Sequence, residues 1–147
     1  MTRPAFHLAI PVDDLARARV FYGSVLGLPE GRSTDGWVDW DLHGHQLVTH
    51  LVAGSRTEAG SSRPEPAGHG TVDGRPVPVP HFGLVLDVDA FQVLARRLTE
   101  AGTAFVVEPS LRFAGQPAEQ WTMFLLDPAG NALEFKAFRD ETRMFAR

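Results

Sequence analysis

From Phe6 to Val12 apolar and polar positions alternate: Phe6, Leu8, Ile10 and Val12 fall on one face, His7 and Ala9 on the other. That period of two predicts a half-buried β-strand. Asp13 or Asp14 then offers a carboxylate to cap a helix. Leu15, Ala18, Phe21, Tyr22, Val25 and Leu26 recur at helical spacing, a stripe that one helix face buries. Gly27 ends this helix and Pro29 blocks its resumption. Short strands follow at Glu30 to Ser33, Trp37 to Leu42 and His45 to Val52, with a turn at His43-Gly44. In the second of these Val38, Trp40 and Leu42 form the apolar face. In the third Gln46, Val48 and His50 share one face and Leu47, Thr49 and Leu51 the other.

The same order recurs later in the chain. His81 lies 74 residues after His7, and it too opens an apolar strand with a small residue two positions on, here Gly83. Phe82, Leu84 and Leu86 face one way; His81, Gly83 and Val85 face the other. A helix capped by Asp89 is expected next, with Phe91, Leu94, Ala95, Leu98 and Ala101 as its buried stripe and Gly102 as its stop. Strands are then read at Ala104 to Glu108, before Pro109, at Gln120 to Leu126 and at Ala132 to Phe138. The last two flank a turn at Asp127 to Asn131. The expected fold class is therefore α+β, a single domain over residues 1–147 made of two βαβββ modules. The first module covers about 5–53 and the second about 80–138. Residues 54–79 read as a long connection, rich in Gly, Ser and Pro, stiffened by Pro76, Pro78 and Pro80; 139–147 form a tail.

Composition narrows the functional classes. A chain of 147 residues with 44% hydrophobic and 22% charged residues is long enough for a real core. Net charge is −4 with scattered basic residues, which argues against nucleic acid or an anionic membrane as the main partner. Cysteine is absent, which excludes disulfide and thiolate chemistry. Neither a signal peptide nor a bilayer-length apolar stretch is visible, so a cytoplasmic protein is the expectation.

Three residues interrupt apolar strands on the side away from the helices: His7, His81 and Glu134. If the two halves form one curved sheet, these side chains line its concave face. Two imidazoles and a carboxylate form a facial metal site with open positions, and Ala9 and Gly83 would leave room for a ligand. Each residue also has a plainer reading. A strand histidine taken alone is more often a hydrogen-bonded structural group, and Glu134 could pair with Lys136 or an arginine. An unpaired buried carboxylate is costly, and a cation relieves the cost.

The run from His7 through Leu28, the segment from His81 to Leu86, and Asp127-Pro128-Ala129-Gly130-Asn131 leading to Glu134-Phe135-Lys136 resemble the vicinal oxygen chelate superfamily. It includes glyoxalase I, bleomycin- and fosfomycin-resistance proteins and extradiol dioxygenases. The resemblance covers nearly the whole chain outside the connection and the tail. It implies two βαβββ modules forming a cup around a divalent metal held by His7, His81 and Glu134. The ligand set, with the segment Arg112 to Gln120, resembles the extradiol dioxygenase-like branch and implies Fe(II), with Zn, Ni or Mn as alternatives. Glyoxalase I-like members carry a fourth ligand, usually Glu, on the last strand of the first module. Here Val48 most nearly matches Glu134, and His50 lies two residues further along the same face.

His50 is accordingly the candidate acid/base or, if the alignment slips, a fourth metal ligand, with a hydrogen-bonded strand histidine as its plainer reading. Gln46, Phe113 and Trp121 are candidate substrate contacts, with Gln46 otherwise structural and Trp121 otherwise core. Trp40 and Tyr22 are read mainly as packing residues, while Trp37 and Trp40 could offer stacking surfaces. His43, His45 and His69 are expected to be solvated. The leading reading is a metal-dependent, dioxygenase-like enzyme acting on a small molecule that chelates the metal through neighbouring oxygens. A glyoxalase-type isomerase or lyase and a non-catalytic antibiotic-binding protein are the alternatives. A small-molecule partner and a homodimer are expected.

Overall fold

Asp14 and Asp87 start the two principal helices, and each does so by the same local chemistry. The Asp14 carboxylate accepts the Arg17 backbone N–H and that of Asp87 accepts the Ala90 N–H, so each caps otherwise unpaired donors. Asp87, not Asp89, is thus the cap of the second helix; Asp89 lies within its first turn. The computed structural model describes residues 3–53, 68–72 and 74–145. They fall into two compact units, Met1–Glu65 with Asp127–Asn131, and Pro66–Leu126 with Ala132–Arg147.

The first unit holds a four-stranded mixed sheet in the order β1-β4-β3-β2, made of β1 (His7–Val12), β2 (Glu30–Ser33), β3 (Trp37–Leu42) and β4 (His45–Leu51). β1 runs parallel to β4; the other pairs are antiparallel. β3 and β4 join through His43 and Gly44, both at positive φ (53° and 87°), as a tight two-residue hairpin requires. Helix α1 covers only Leu15–Ala18, and Arg19–Val25 continues it as a π-helix. The amphipathic helix expected here is therefore widened over much of its length. The Leu26 N–H reaches the Phe21 carbonyl at 2.8 Å, five residues back. The wide turn brings the adjacent Phe21 and Tyr22 both into the core, where the Tyr22 ring lies 5.9 Å from that of Trp40. Val38, Trp40, Leu42 and Leu47 complete that core. Buried Thr49 satisfies the indole, its hydroxyl accepting the Trp40 Nε1–H at 3.1 Å.

The second unit repeats the order as β7-β10-β9-β8, with β7 (Val85–Leu86), α2 (Val88–Glu100), β8 (Phe105–Arg112), β9 (Gln120–Leu126) and β10 (Ala132–Phe138). Regular strand is confined to Val85–Leu86, shorter than the alternation from His81 suggests. The parallel hydrogen bonds nevertheless begin earlier, with Phe82 N–H to the Ala132 carbonyl and Glu134 N–H to that of Phe82. β8 runs through Pro109 instead of stopping before it. Pro109 is tolerated because β8 is the edge strand and its register shifts between Val107 and Ser110. α2 buries Phe91, Ala95 and Leu98, while Ala101, expected inside, is exposed.

The end of the expected connection is not irregular. β5 (Gly68–Val72) and β6 (Arg75–Val79) pair antiparallel as a separate hairpin. Pro76 and Pro78 alternate along β6, so their missing N–H groups fall on one edge and spare the other for pairing. Val77 is buried with Val107 and Phe124 in an apolar cluster. Residues 54–67 lie outside the described residues, as does the His69 side chain. Among the described residues no helix is long and apolar enough to cross a membrane.

Candidate functional site

In the second unit the structure brings His81 and Glu134 together. His81 Nδ1 lies 2.7 Å from the Pro78 carbonyl oxygen, which can only accept, so Nδ1 carries the proton. Nε2 is thereby turned to Glu134 Oε2, 3.2 Å away. The ring is also braced edge-on against Phe124, with centroids 4.9 Å apart. Glu134 is 7% exposed and its other oxygen is occupied. Oε1 accepts the Thr122 hydroxyl at 2.8 Å and lies 3.5 Å from the Lys136 ammonium. The carboxylate is thus fixed through Oε1 and presents Oε2.

A neutral imidazole nitrogen and a carboxylate oxygen, both acceptors, cannot face each other at this distance without a cation between or beside them, either a proton or a metal. Donors on one ion bound at about 2.1 Å lie about 3 Å apart when adjacent, so the pair suits a divalent metal. Gly83 lies beside Glu134 for a different reason from the one its size suggests. A Cβ at position 83 would collide with the Glu134 carbonyl oxygen, so glycine here permits strand contact and is not primarily a space for ligand.

The first unit carries His7 in the same local state. Its Nδ1 lies 2.8 Å from Gln46 Oε1, which accepts, so a proton sits on Nδ1 and Nε2 is the nitrogen that Gln46 leaves unengaged. Gln46 therefore orients His7; the sequence offered it as a substrate contact or as structural. By contrast His45 Nδ1 accepts the Phe6 backbone N–H at 3.0 Å, which puts its proton on the other nitrogen and makes it a structural residue. His43 is exposed in the hairpin turn.

Strand register decides the correspondence between the two modules. Ala9 pairs with Val48 and Pro11 with His50. Phe82 pairs with Leu133 and Val85 with Lys136, which places Glu134 beside Gly83. Matching His7 to His81 then puts Val48 at the rung of Glu134 and His50 at that of Lys136. Position 48 is a buried valine, so β4 offers no carboxylate at that rung. His50 is exposed at the far end of β4, opposite Trp37. Across β3 this face carries two carboxylates, Asp41 exposed opposite Gln46 and Asp39 buried opposite Val48 and 3.4 Å from Arg32.

Trp121 lies half-buried on the other side of its strand from Thr122, its ring 6.2 Å from Phe91 of α2. Phe113 is exposed at φ 54° just after β8, with the Arg112 guanidinium 4.8 Å over its ring. Within neither unit by itself, among the described residues, do three His, Asp or Glu side chains gather. His81 and Glu134 lie in the second unit and His7 in the first.

Sequence reading missed Thr122, the Pro78 carbonyl and Lys136 as an active part of the site. Thr122 was legible in principle, as a polar residue inside the apolar run Trp121 to Leu126. It also missed the Tyr22 hydroxyl, fully buried, which donates to Asp127 Oδ2 at 2.7 Å. Asn131 holds the same carboxylate through its side-chain amide at 2.8 Å and its backbone N–H at 2.7 Å. Burial, and after it the Asp127 charge and hydrogen bond, push the Tyr22 hydroxyl well above its usual pKa.

The profile of the Glyoxalase/Bleomycin resistance protein/Dioxygenase superfamily matches residues 5–135. The chain belongs to this superfamily. A glyoxalase/bleomycin resistance protein/dioxygenase from Alicyclobacillus acidocaldarius superposes with a TM-score of 0.73 at 33% identity, over 97% of this chain and 96% of that one. A lactoylglutathione lyase from Agrobacterium tumefaciens shares the superfamily fold at TM-score 0.62 and 21% identity, over 92% and 94% of the two chains. So does a glyoxalase/dioxygenase from Nostoc punctiforme, at 0.65 and 20%, over 94% and 92%. No functionally curated protein matches the chain significantly. The superfamily's βαβββ order accounts for the repeated modules, each closing a mixed sheet on its own helix.

Proposed function

We propose that this superfamily member is a metal-dependent, dioxygenase-like enzyme whose small substrate chelates the metal through neighbouring oxygens. The observation that carries the reading is the shared state of His81 and His7. In each, Nδ1 donates to a carbonyl-type oxygen, so Nε2 is the ring nitrogen that could bind an ion, as metal-binding histidines are held. His81, Glu134 and, by this proposal, His7 hold the ion, with Fe(II) the favoured occupant. The bound ion would supply Lewis acidity and a position for dioxygen. The chain's own residues do the rest. Pro78 and Gln46 keep protons on the two Nδ1 atoms. Thr122 holds Glu134 by one oxygen so that the other can bind. His50 is the proposed proton carrier for the substrate hydroxyls.

The lyase from Agrobacterium tumefaciens keeps an isomerase reading in view. Val48 at the rung of Glu134 disfavours it, because the fourth ligand, a carboxylate on β4, is then missing.

Metal analysis of untagged protein tests the proposal. The parent should hold close to one metal ion per chain, and His81→Ala only a small fraction of that. Fe(II)-loaded parent should then consume dioxygen with some member of a broad catechol panel. No bound metal, even after anaerobic Fe(II) loading, would falsify the enzyme reading and leave a ligand-sequestering protein.

A further inference from the structure

Lys136 stands in a cleft of about 240 Å³ that it lines with His81, Gly83, Leu84, Val85 and Glu134. Its side chain is 35% exposed, and its ammonium lies 3.5 Å from Glu134 Oε1. A charge-assisted N–H···O bond is about 2.7–2.9 Å long, so this contact is a loose ion pair. The Thr122 hydroxyl makes the closer contact with the same oxygen, at 2.8 Å. Among the described residues, this pair is the one charged contact of the ammonium, and an ammonium has three donors to give. The rest of the cleft wall is largely apolar, so its polar chemistry is one cation beside one imidazole–carboxylate pair.

Position adds a length to this chemistry. Lys136 is two residues from Glu134 on the same face of β10, a separation of roughly 6.6 Å along a strand. That spacing is between the two backbone positions; the ammonium itself bends back to 3.5 Å from Glu134 Oε1, and extending the flexible side chain to a carboxylate on the far side of a small ring would draw it off that loose pair.

We propose that Lys136 is a specificity-determining residue that binds a carboxylate on the substrate. The substrate class is then an anionic aromatic acid bearing neighbouring oxygens, not a neutral phenol. The aromatic part of this inference rests on the chelating role proposed above; the anion-binding part rests on Lys136 alone.

The test compares three probes on the anaerobically metal-loaded full chain, with binding read by calorimetry. They are a dihydroxybenzoate with vicinal hydroxyls, its neutral amide, and benzoate, which cannot chelate. The parent should prefer the dihydroxybenzoate over the amide by about tenfold or more, the scale of a hydrogen bond to a charged group. Lys136→Met should abolish that preference and Lys136→Arg retain most of it, with melting temperatures confirming that both variants fold. If Lys136 serves only to neutralise Glu134, Lys136→Met weakens both catechols alike and leaves their ratio unchanged, and the proposal is overturned. Equal binding of acid and amide by the parent, or no binding of any of the three probes, overturns it as well. Benzoate bound in a Lys136-dependent way, with neither catechol preferred over it, supports the anion site and sinks the chelating role.

Discussion

Tyr22 is the one tyrosine of the chain, and its environment makes its titration a clean report on packing. Its folded pKa is raised, chiefly by burial and then by Asp127, while in the unfolded chain it titrates near 10. The stability that this difference contributes is therefore fully present below the unfolded pKa and is lost as pH rises above it. The tyrosinate absorbance should stay absent well past the usual range and emerge together with unfolding. Tyr22→Phe should remove that alkaline component, at a cost of about 1–3 kcal/mol at neutral pH for leaving Asp127 short of a donor. An early, unfolding-independent titration would contradict the buried hydrogen bond. Thr122 offers a second test. Thr122→Val preserves shape but deletes the donor to Glu134 Oε1. Loss of such an orienting partner typically weakens metal binding by about 10–100-fold, and a competition titration against a chelator would measure it. Unchanged affinity would mean that Thr122 serves packing only.

Among the elements, the helices show how a local signal can be right in kind and displaced in place. The sequence around Asp87, Val88 and Asp89 offers two carboxylates near a helix start, and propensity does not choose between them. The backbone chooses: Asp87 is extended at φ −67°, ψ 161°, and accepts the Ala90 N–H at 2.7 Å. Asp87→Ala should thus cost about 1 kcal/mol, and Asp89→Ala only a few tenths, in denaturant melts. Equal losses would return the cap to an open question. The π-helical stretch Arg19–Val25 was invisible for a related reason. A stripe at spacings of three and four fits an α-helix, and only the demand to bury both Phe21 and Tyr22 against Trp40 widens the turn. The β5–β6 hairpin was hidden by its composition, since prolines normally argue against a strand. They fit here because they alternate, while the intervening Val77 is buried.

For the molecule as a whole, the proposed centre links metal loading to folding. A ligand bound only by the native state stabilises it by mass action. Stripping metal with a chelator should therefore lower the melting temperature of the parent, while His81→Ala should melt low and respond little to either metal or chelator. A melting temperature indifferent to metal in the parent would argue against a resident ion.

Much of this protein was determined by sequence alone. The two βαβββ modules, the strands Trp37–Leu42, Gln120–Leu126 and Ala132–Phe138, and the exceptional status of His7, His81 and Glu134 follow from periodicity, because a two-residue alternation marks any polar group on the side away from the apolar face. What the alternation cannot carry is partnership. The Pro78 carbonyl and Gln46 that fix the two imidazole tautomers, the Thr122 hydroxyl on Glu134, the Tyr22–Asp127 bond across 105 residues of chain, and the carbonyl pressed against Gly83 are contacts between segments distant in sequence or set by exact backbone path. Their energies depend on ångström-scale placement, which only the packed structure decides.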